Sequence, residues 1–228
     1  MIISHSHKFV YTRPMKVGSS SAQVMLDNSD LVLDTDVSLG SYDNAFDAGF
    51  GITKNISLPE DRLGAVKLKA ELMHATPEIL LNKGFINEEI VSNYLFISII
   101  RNPIDRFLSA WVMEVIGGYD FTGSRDKFFD MLDARDFPLM LSHASPNNYF
   151  KLADNLLPNI AVLKTKTLFD DLVALFPDTK LIRQNLKQTK YPNWLSKTIL
   201  DKKYLTIIKD YLAEEVIFYE TNTGEIVC

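Results

Sequence analysis

Cysteine is almost absent from this 228-residue chain, and Cys228 is the only one. A disulfide within the chain and a cysteine-built metal site are therefore excluded. Basic charge is also in deficit. Twenty-four Lys and Arg stand against 29 Asp and Glu, a formal net charge of −5. A protein that coats nucleic acid needs a broad basic surface, so no nucleic-acid partner is expected, although a local basic pocket remains compatible. Long apolar runs are missing too. Tyr94–Ile100 and Leu205–Phe218 are the longest clusters, and neither approaches the about 18 residues of a membrane helix. The opening Met-Ile-Ile-Ser-His-Ser-His-Lys lacks the basic start, apolar stretch and cleavage site of a signal peptide, so the expected address is the cytoplasm. No repeat, low-complexity tract or linker divides residues 1–228, which read as a single domain.

What is present is an alternation of strands and helices. Lys8–Thr12 is short and β-prone, and a polar loop separates it from the helical segment Ala22–Leu26. Leu31–Leu33 reads as a second short strand. Ser38–Ser57 is rich in Gly, Ser, Asn and Asp and reads as a long loop, a candidate lid. Leu58–Leu81 carries short helices, one starting at Pro77. Tyr94–Ile100 is continuous, aromatic and β-branched, the pattern of a strand buried on both faces of a parallel sheet. A helix follows, with Asn102 as its cap and Pro103 at its first position. Asn147, Asn148 and Tyr149 open another helix after Pro146. Asn159–Lys164 is a strand, Thr167–Phe176 a helix and Lys197–Tyr219 a terminal amphipathic helix. Strands separated by helices predict an α/β fold with a central, mostly parallel sheet flanked by helices.

Two places carry chemistry. Lys16-Val17-Gly18-Ser19-Ser20-Ser21 sets a cation, a glycine and three hydroxyls where a helix begins. Free N–H groups and the positive end of the helix dipole make such a place an anion site. An N-cap serine beside a solvated lysine has the same local sequence. The Walker A order is absent, because this lysine precedes the glycine, and that weighs against a nucleotide kinase-like P-loop enzyme. The second place is Arg101, at the carboxyl end of the best strand, where open α/β sheets bind ligands. Ser109 lies about two turns into the following helix, and an arginine with a hydroxyl can clamp a phosphate. Asp105 and Arg106 read as structural, on a solvated helix face. Tyr94, Phe96, Phe107 and Trp111 read as core. Lys180, Arg183, Lys187 and Lys190 read mainly as a solvated charged face.

Together the two motifs resemble those of sulfotransferases that use 3′-phosphoadenosine 5′-phosphosulfate. In that family a Lys-x-Gly-(Ser/Thr)-(Ser/Thr)-Ser loop binds the 5′-phosphosulfate, and Arg-(Asn/Asp)-Pro-x-x-Arg-x-x-Ser binds the 3′-phosphate. This chain has Lys16–Ser21 and Arg101–Ser109 in that order. The segment Met73–Leu80 looks like the His-Ala-Thr segment of carbohydrate-type members. Val162–Asp171 looks like the family's E-x-L-x-x-D strand and helix, with Lys166 replacing the glutamate. Asn185 onward, then Ala213–Tyr219, resembles the closing region. The resemblance implies a three-layer, P-loop-NTPase-like fold, sulfuryl transfer to a hydroxyl-bearing acceptor, a carbohydrate by the His-Ala-Thr likeness, and no metal. It gives Lys16, Val17, Gly18, Ser19, Ser20 and Ser21 to the 5′ end of the donor, and Arg101 and Ser109 to the 3′ end. Lys16 is then also catalytic, at the leaving oxygen.

In-line transfer needs a base for the acceptor hydroxyl. Of four histidines, His5 and His7 fall in a terminus expected to fray, and His143 falls in a loop. His74 matches the family's base segment and is the candidate, with Glu71 and Glu78 in reserve or as partners that orient it. A catalytically degenerate relative that binds a nucleotide or a glycan has the same motifs. The loops Ser38–Ser57 and Gly117–Ser124 would meet the acceptor, and neither carries a readable code.

Overall fold

The run Leu95-Phe-Ile-Ser-Ile-Ile100 is the strand around which the sheet is organised. A computed structural model describes residues 1–33, 36–39, 53–56, 68, 71–115, 124–138, 141, 145–184, 191–195 and 200–222. Its main sheet has six strands: β1 (Ile2–Ser4), β2 (Phe9–Tyr11), β3 (Val37–Leu39), β4 (Thr53–Lys54), β5 (Leu95–Ile100) and β8 (Ile160–Lys164), in the order β4-β3-β1-β2-β5-β8. A separate hairpin pairs β6 (Lys151–Leu152) with β7 (Asn155–Leu156). β5 is parallel to both its neighbours, β2 and β8. The expectation of a mostly parallel sheet is thus met only there. β1 runs antiparallel to β2 and β3, and β3 antiparallel to β4, so the sheet is mixed. The cause is local: a short turn over His5–Lys8 joins β1 to β2, and so short a link permits only a hairpin.

That turn also corrects the expected fray around His5 and His7. The Asp36 carboxylate accepts from the backbone N–H of His5 and Leu33 and from the Ser6 hydroxyl, and β1 before it is buried throughout. Leu31–Leu33 is a turn rather than a strand, and β3 begins at Val37. Part of the expected loop Ser38–Ser57 is sheet, since Ser38 pairs with Lys54. The rest of that loop, at 40–52 and 57, lies outside the described residues. So do 117–123 of the second acceptor loop, His143, Asn185, Lys187 and Lys190.

Helices cover both faces. They are α1 (Ser19–Asp27), α2 (Pro77–Asn82), α3 (Glu88–Asn93), α4 (Pro103–Val115), α5 (Ser124–Ala134), α6 (Leu168–Leu175), α7 (Lys202–Tyr211) and α8 (Ala213–Thr221). Successive strand residues point to opposite faces. Tyr11, Ile97, Ile99 and Leu163 accordingly pack on α1 and α6 through Met25, Leu26 and Leu172. Val10 and Phe96 pack on the other side against Leu80 of α2 and Ile90 of α3. The resulting three layers agree with the expectation. Both expected helix starts are present: Thr76 accepts from Ile79 N–H ahead of Pro77, and Asn102 accepts from Asp105 N–H ahead of Pro103. Pro146–Phe150 is a short 3-10 helix of five residues.

Beyond β5, α4 packs with α5 and α7 around Phe107, Trp111, Phe128 and Ile208. Phe96, Phe107 and Trp111 are core, whereas Tyr94 is partly exposed beside His5. Lys180 and Arg183 are exposed, as read. The expected helix Lys197–Tyr219 is two helices that meet at Leu212. The break keeps Ile208 and Leu212 in the α4 core while Glu215 turns to Arg106. That partnership corrects the reading of Arg106 as solvated. Arg106 is 0% and Glu215 4% exposed, and the two form a bidentate pair, Nε to Oε1 at 2.7 Å and Nη2 to Oε2 at 2.6 Å. Removing one partner strands a buried charge, so Glu215→Ala should lower unfolding free energy by about 3–5 kcal/mol, read from the urea midpoint.

Candidate functional site

β2 and β5 are parallel neighbours, so the segments leaving their carboxyl ends emerge together at one edge of the sheet. The first segment is Thr12–Gly18 and the second is Arg101–Asn102. A direct bond joins them: Arg101 Nη1 donates to the Lys16 carbonyl at 3.0 Å. Arg101 Nη2 donates to the Tyr191 hydroxyl at 3.2 Å, and that hydroxyl donates to the Asp105 carbonyl at 3.4 Å. The guanidinium is thus held on the loop side and on the α4 side, yet stays partly exposed. Ser109, its expected companion, is only 1% exposed within α4.

The loop is held by its carbonyls. Pro14 C=O accepts from Ser19 Oγ at 3.0 Å and Lys16 C=O from Arg101. Val17 C=O accepts from Thr165 Oγ1 at 2.6 Å, Gly18 C=O from Ser21 N–H at 3.0 Å, and Ser19 C=O from the Tyr11 hydroxyl at 2.7 Å. A trans peptide unit is planar, with its C=O and N–H pointing opposite ways. Carbonyls drawn into the protein therefore aim the N–H groups of Val17, Gly18, Ser19 and Ser20 away from it. The N–H groups of a helix's first turn have no acceptor within the helix, and α1 begins at Ser19. Lys16 and Gly18 both take left-handed backbone, with φ of 65° and 85°. Alternation of this kind curls successive N–H groups into an anion-binding concavity.

His74 adjoins the same loop. Its Nδ1 lies 2.7 Å from the Arg13 carbonyl. A carbonyl can only accept, so Nδ1 carries the proton and Nε2 holds a lone pair. The Tyr149 hydroxyl donates to the His74 carbonyl at 2.9 Å, fixing the backbone behind the ring. Burial lowers the His74 pKa to about 4, and the neighbouring Arg13 charge adds to the effect. Burial raises that of Tyr149. Glu71 and Glu78, weighed as partners that orient the ring, do not fill that role: Nδ1 goes to Arg13, and Glu71 pairs with Lys83 at 2.9 Å.

Three residues of this arrangement escape a reading by motif. Arg13 is 2% exposed and donates from Nη2 to Ser20 Oγ at 3.0 Å. It stands two residues past the end of β2, and Arg101 stands directly past β5, so a search for cations at strand ends would have found it. Thr165 and Tyr191 have no such signal. Lys166 is exposed, while Asp171, the acid of the same likeness, ties the first turn of α6 back to the end of β8 by accepting from Lys164 N–H and Thr167 Oγ1, each at 2.9 Å. Among the described residues no group of three His, Cys, Asp or Glu is arranged to hold a metal, and no helix is long and apolar enough to cross a membrane.

The model of a family described as the sulfotransferase family matches residues 1–137. No curated protein and no solved structure matches the chain.

The left-handed backbone at Gly18 and the Thr165 methyl, 3.3 Å from where a Cβ would stand, make this position intolerant of side chains. A non-glycine residue there costs about 1–2 kcal/mol. Gly18→Ala should lose that much stability, measured as a lower urea midpoint at unchanged slope.

Proposed function

This chain belongs to the sulfotransferase family, and from that membership we propose that it moves a sulfuryl group from 3′-phosphoadenosine 5′-phosphosulfate to a hydroxyl of a carbohydrate acceptor. The observation that carries the reading is the N–H-lined loop after β2, bonded to Arg101 at the end of β5. Backbone donors, Lys16 and the serine hydroxyls form a donor set suited to a phosphate, and the partly exposed Arg101 suits a second one. When bound, the nucleotide supplies a sulfuryl group activated by its link to phosphate.

In this reading the N–H groups of Val17, Gly18, Ser19 and Ser20, with Ser21, hold the 5′ end. Arg101 and Ser109 hold the 3′ end. Donors fixed before reaction stabilise developing charge without reorganisation. Lys16 neutralises the phosphate oxygen that keeps the electron pair as its bond to sulfur breaks. The acceptor oxygen forms the new bond to sulfur, and its proton passes to Nε2 of His74. A base whose pKa lies at about 4 is unprotonated at neutral pH, and the bond from Nδ1 to Arg13 C=O keeps the required nitrogen bare. We take residues 1–228 as one such domain of P-loop-like type. In support, β8 lies beyond the matched segment and yet pairs with β5.

Adenosine 3′,5′-bisphosphate should raise the melting temperature more than ATP does, and stabilisation by ATP alone would overturn the reading. With labelled donor and a panel of glycans, lipids and small alcohols, Lys16→Ala should abolish transfer. His74→Ala should lower kcat by about 10²–10⁴-fold at unchanged donor affinity; unchanged turnover would remove His74 from its role. Because the His74 pKa is lowered, the base form is lost only as pH falls through about 4. The acid limb of kcat/KM should therefore lie near that value rather than at the usual 6.5 of a histidine.

A further inference from the structure

We propose that Thr165, a residue beyond the matched segment, is a positioning residue that aims the Gly18 N–H at the anion and sets the spacing between the two ends of the donor site. The inference rests on the reading of the loop as the donor's 5′ site. Thr165 stands immediately after β8, and its backbone N–H donates to the Ile100 carbonyl at 3.0 Å. Its hydroxyl lies 2.6 Å from the Val17 carbonyl and 3.1 Å from the Ile100 carbonyl. A hydroxyl has one proton. Ile100 C=O already receives the Thr165 N–H, so the shorter contact to Val17 takes the larger share. Val17 C=O belongs to the same planar unit as Gly18 N–H, and holding the one directs the other.

The same side chain touches the loop in a second way. Its methyl packs at the face of Gly18 where a Cβ would stand. It therefore occupies the space that the glycine leaves open. Ile100, its other carbonyl partner, directly precedes Arg101. One side chain thus spans the loop that would receive the 5′ end and the strand end that would receive the 3′ end. Arg101 does the neighbouring job: by holding Lys16 C=O it directs Val17 N–H. Two consecutive peptide units are oriented from two different strands.

The test compares the wild-type chain with Thr165→Val, which keeps the shape and loses the hydroxyl, and Thr165→Ser, which keeps the hydroxyl. Calorimetry with adenosine 3′,5′-bisphosphate and with inorganic pyrophosphate reads binding, and initial rates read the donor and acceptor KM. Loss of one aimed hydrogen bond predicts about fivefold to tenfold weaker binding of both probes to Thr165→Val. It also predicts a donor KM raised by a like factor, with kcat at saturating donor and acceptor KM unchanged. Thr165→Ser should restore binding to within about twofold. A purely structural loss would instead lower kcat through the active fraction and leave KM alone. Should Thr165→Val not fold, Thr165→Ala takes its place. Wild-type affinity in the hydroxyl-free variant, or failure of Thr165→Ser to restore it, overturns the role of Thr165 while leaving the donor reading intact. Binding of pyrophosphate but not of the nucleotide by the wild-type chain, with the Thr165→Val loss preserved, overturns the donor reading and upholds Thr165. Binding of neither probe overturns both.

Discussion

A backbone loop can offer its N–H groups to an anion only when its carbonyls are satisfied elsewhere. Here five carbonyls between Pro14 and Ser19 are met by Ser19, Arg101, Thr165, Ser21 and Tyr11. Those partners come from β2, from the helix the loop opens, and from the ends of β5 and β8. The parallel trio β2-β5-β8 is what brings these ends to one edge. The antiparallel half of the sheet, β1, β3 and β4, adds area on the far side of β2 and buries Ile2 and Ile3 on opposite faces. The site thus depends on the trio, and the trio depends on the cores laid against its two faces.

Arg13 links the loop to the candidate base. Its side chain holds Ser20, and its carbonyl holds the His74 ring. A shift of this one residue would move Ser20 and His74 together. Its buried positive charge also helps to keep His74 neutral. A histidine can accept a proton only when unprotonated; burial and the guanidinium keep His74 in that form, and the same lowering of its pKa weakens it as a base.

Much of the site's edge was legible in the chain. The apolar run before Arg101, the glycine and serines after Lys16, and Pro77 and Pro103 at helix starts are local signals with local causes. What was not legible depends on pairing at a distance. β1, β3 and β4 have three residues or fewer, too short for periodicity to show, so the antiparallel half of the sheet was missed. Arg106 looked like a surface cation because nothing near it announces Glu215. Thr165 sits in an ordinary Lys-Thr-Lys-Thr stretch, and its importance lies in the two carbonyls it meets. The helix break at Leu212 carries no glycine or proline; it follows from two packing demands on one segment.

The bonds that close the site and the fold have long reach. Thr165 and Val17 are 148 residues apart, and Arg106 and Glu215 are 109 apart. Contacts of such separation form late, because the loop between their ends must be closed first. During synthesis the loop leaves the ribosome well before the residue that turns Val17 inward, which follows 148 residues later. Throughout that interval β5 lacks its β8 neighbour and presents an open apolar edge, the kind of surface on which nascent chains aggregate or recruit chaperones. The order of translation therefore makes the loop before the residue that orients it, so the loop's final geometry waits on pairing across 148 residues.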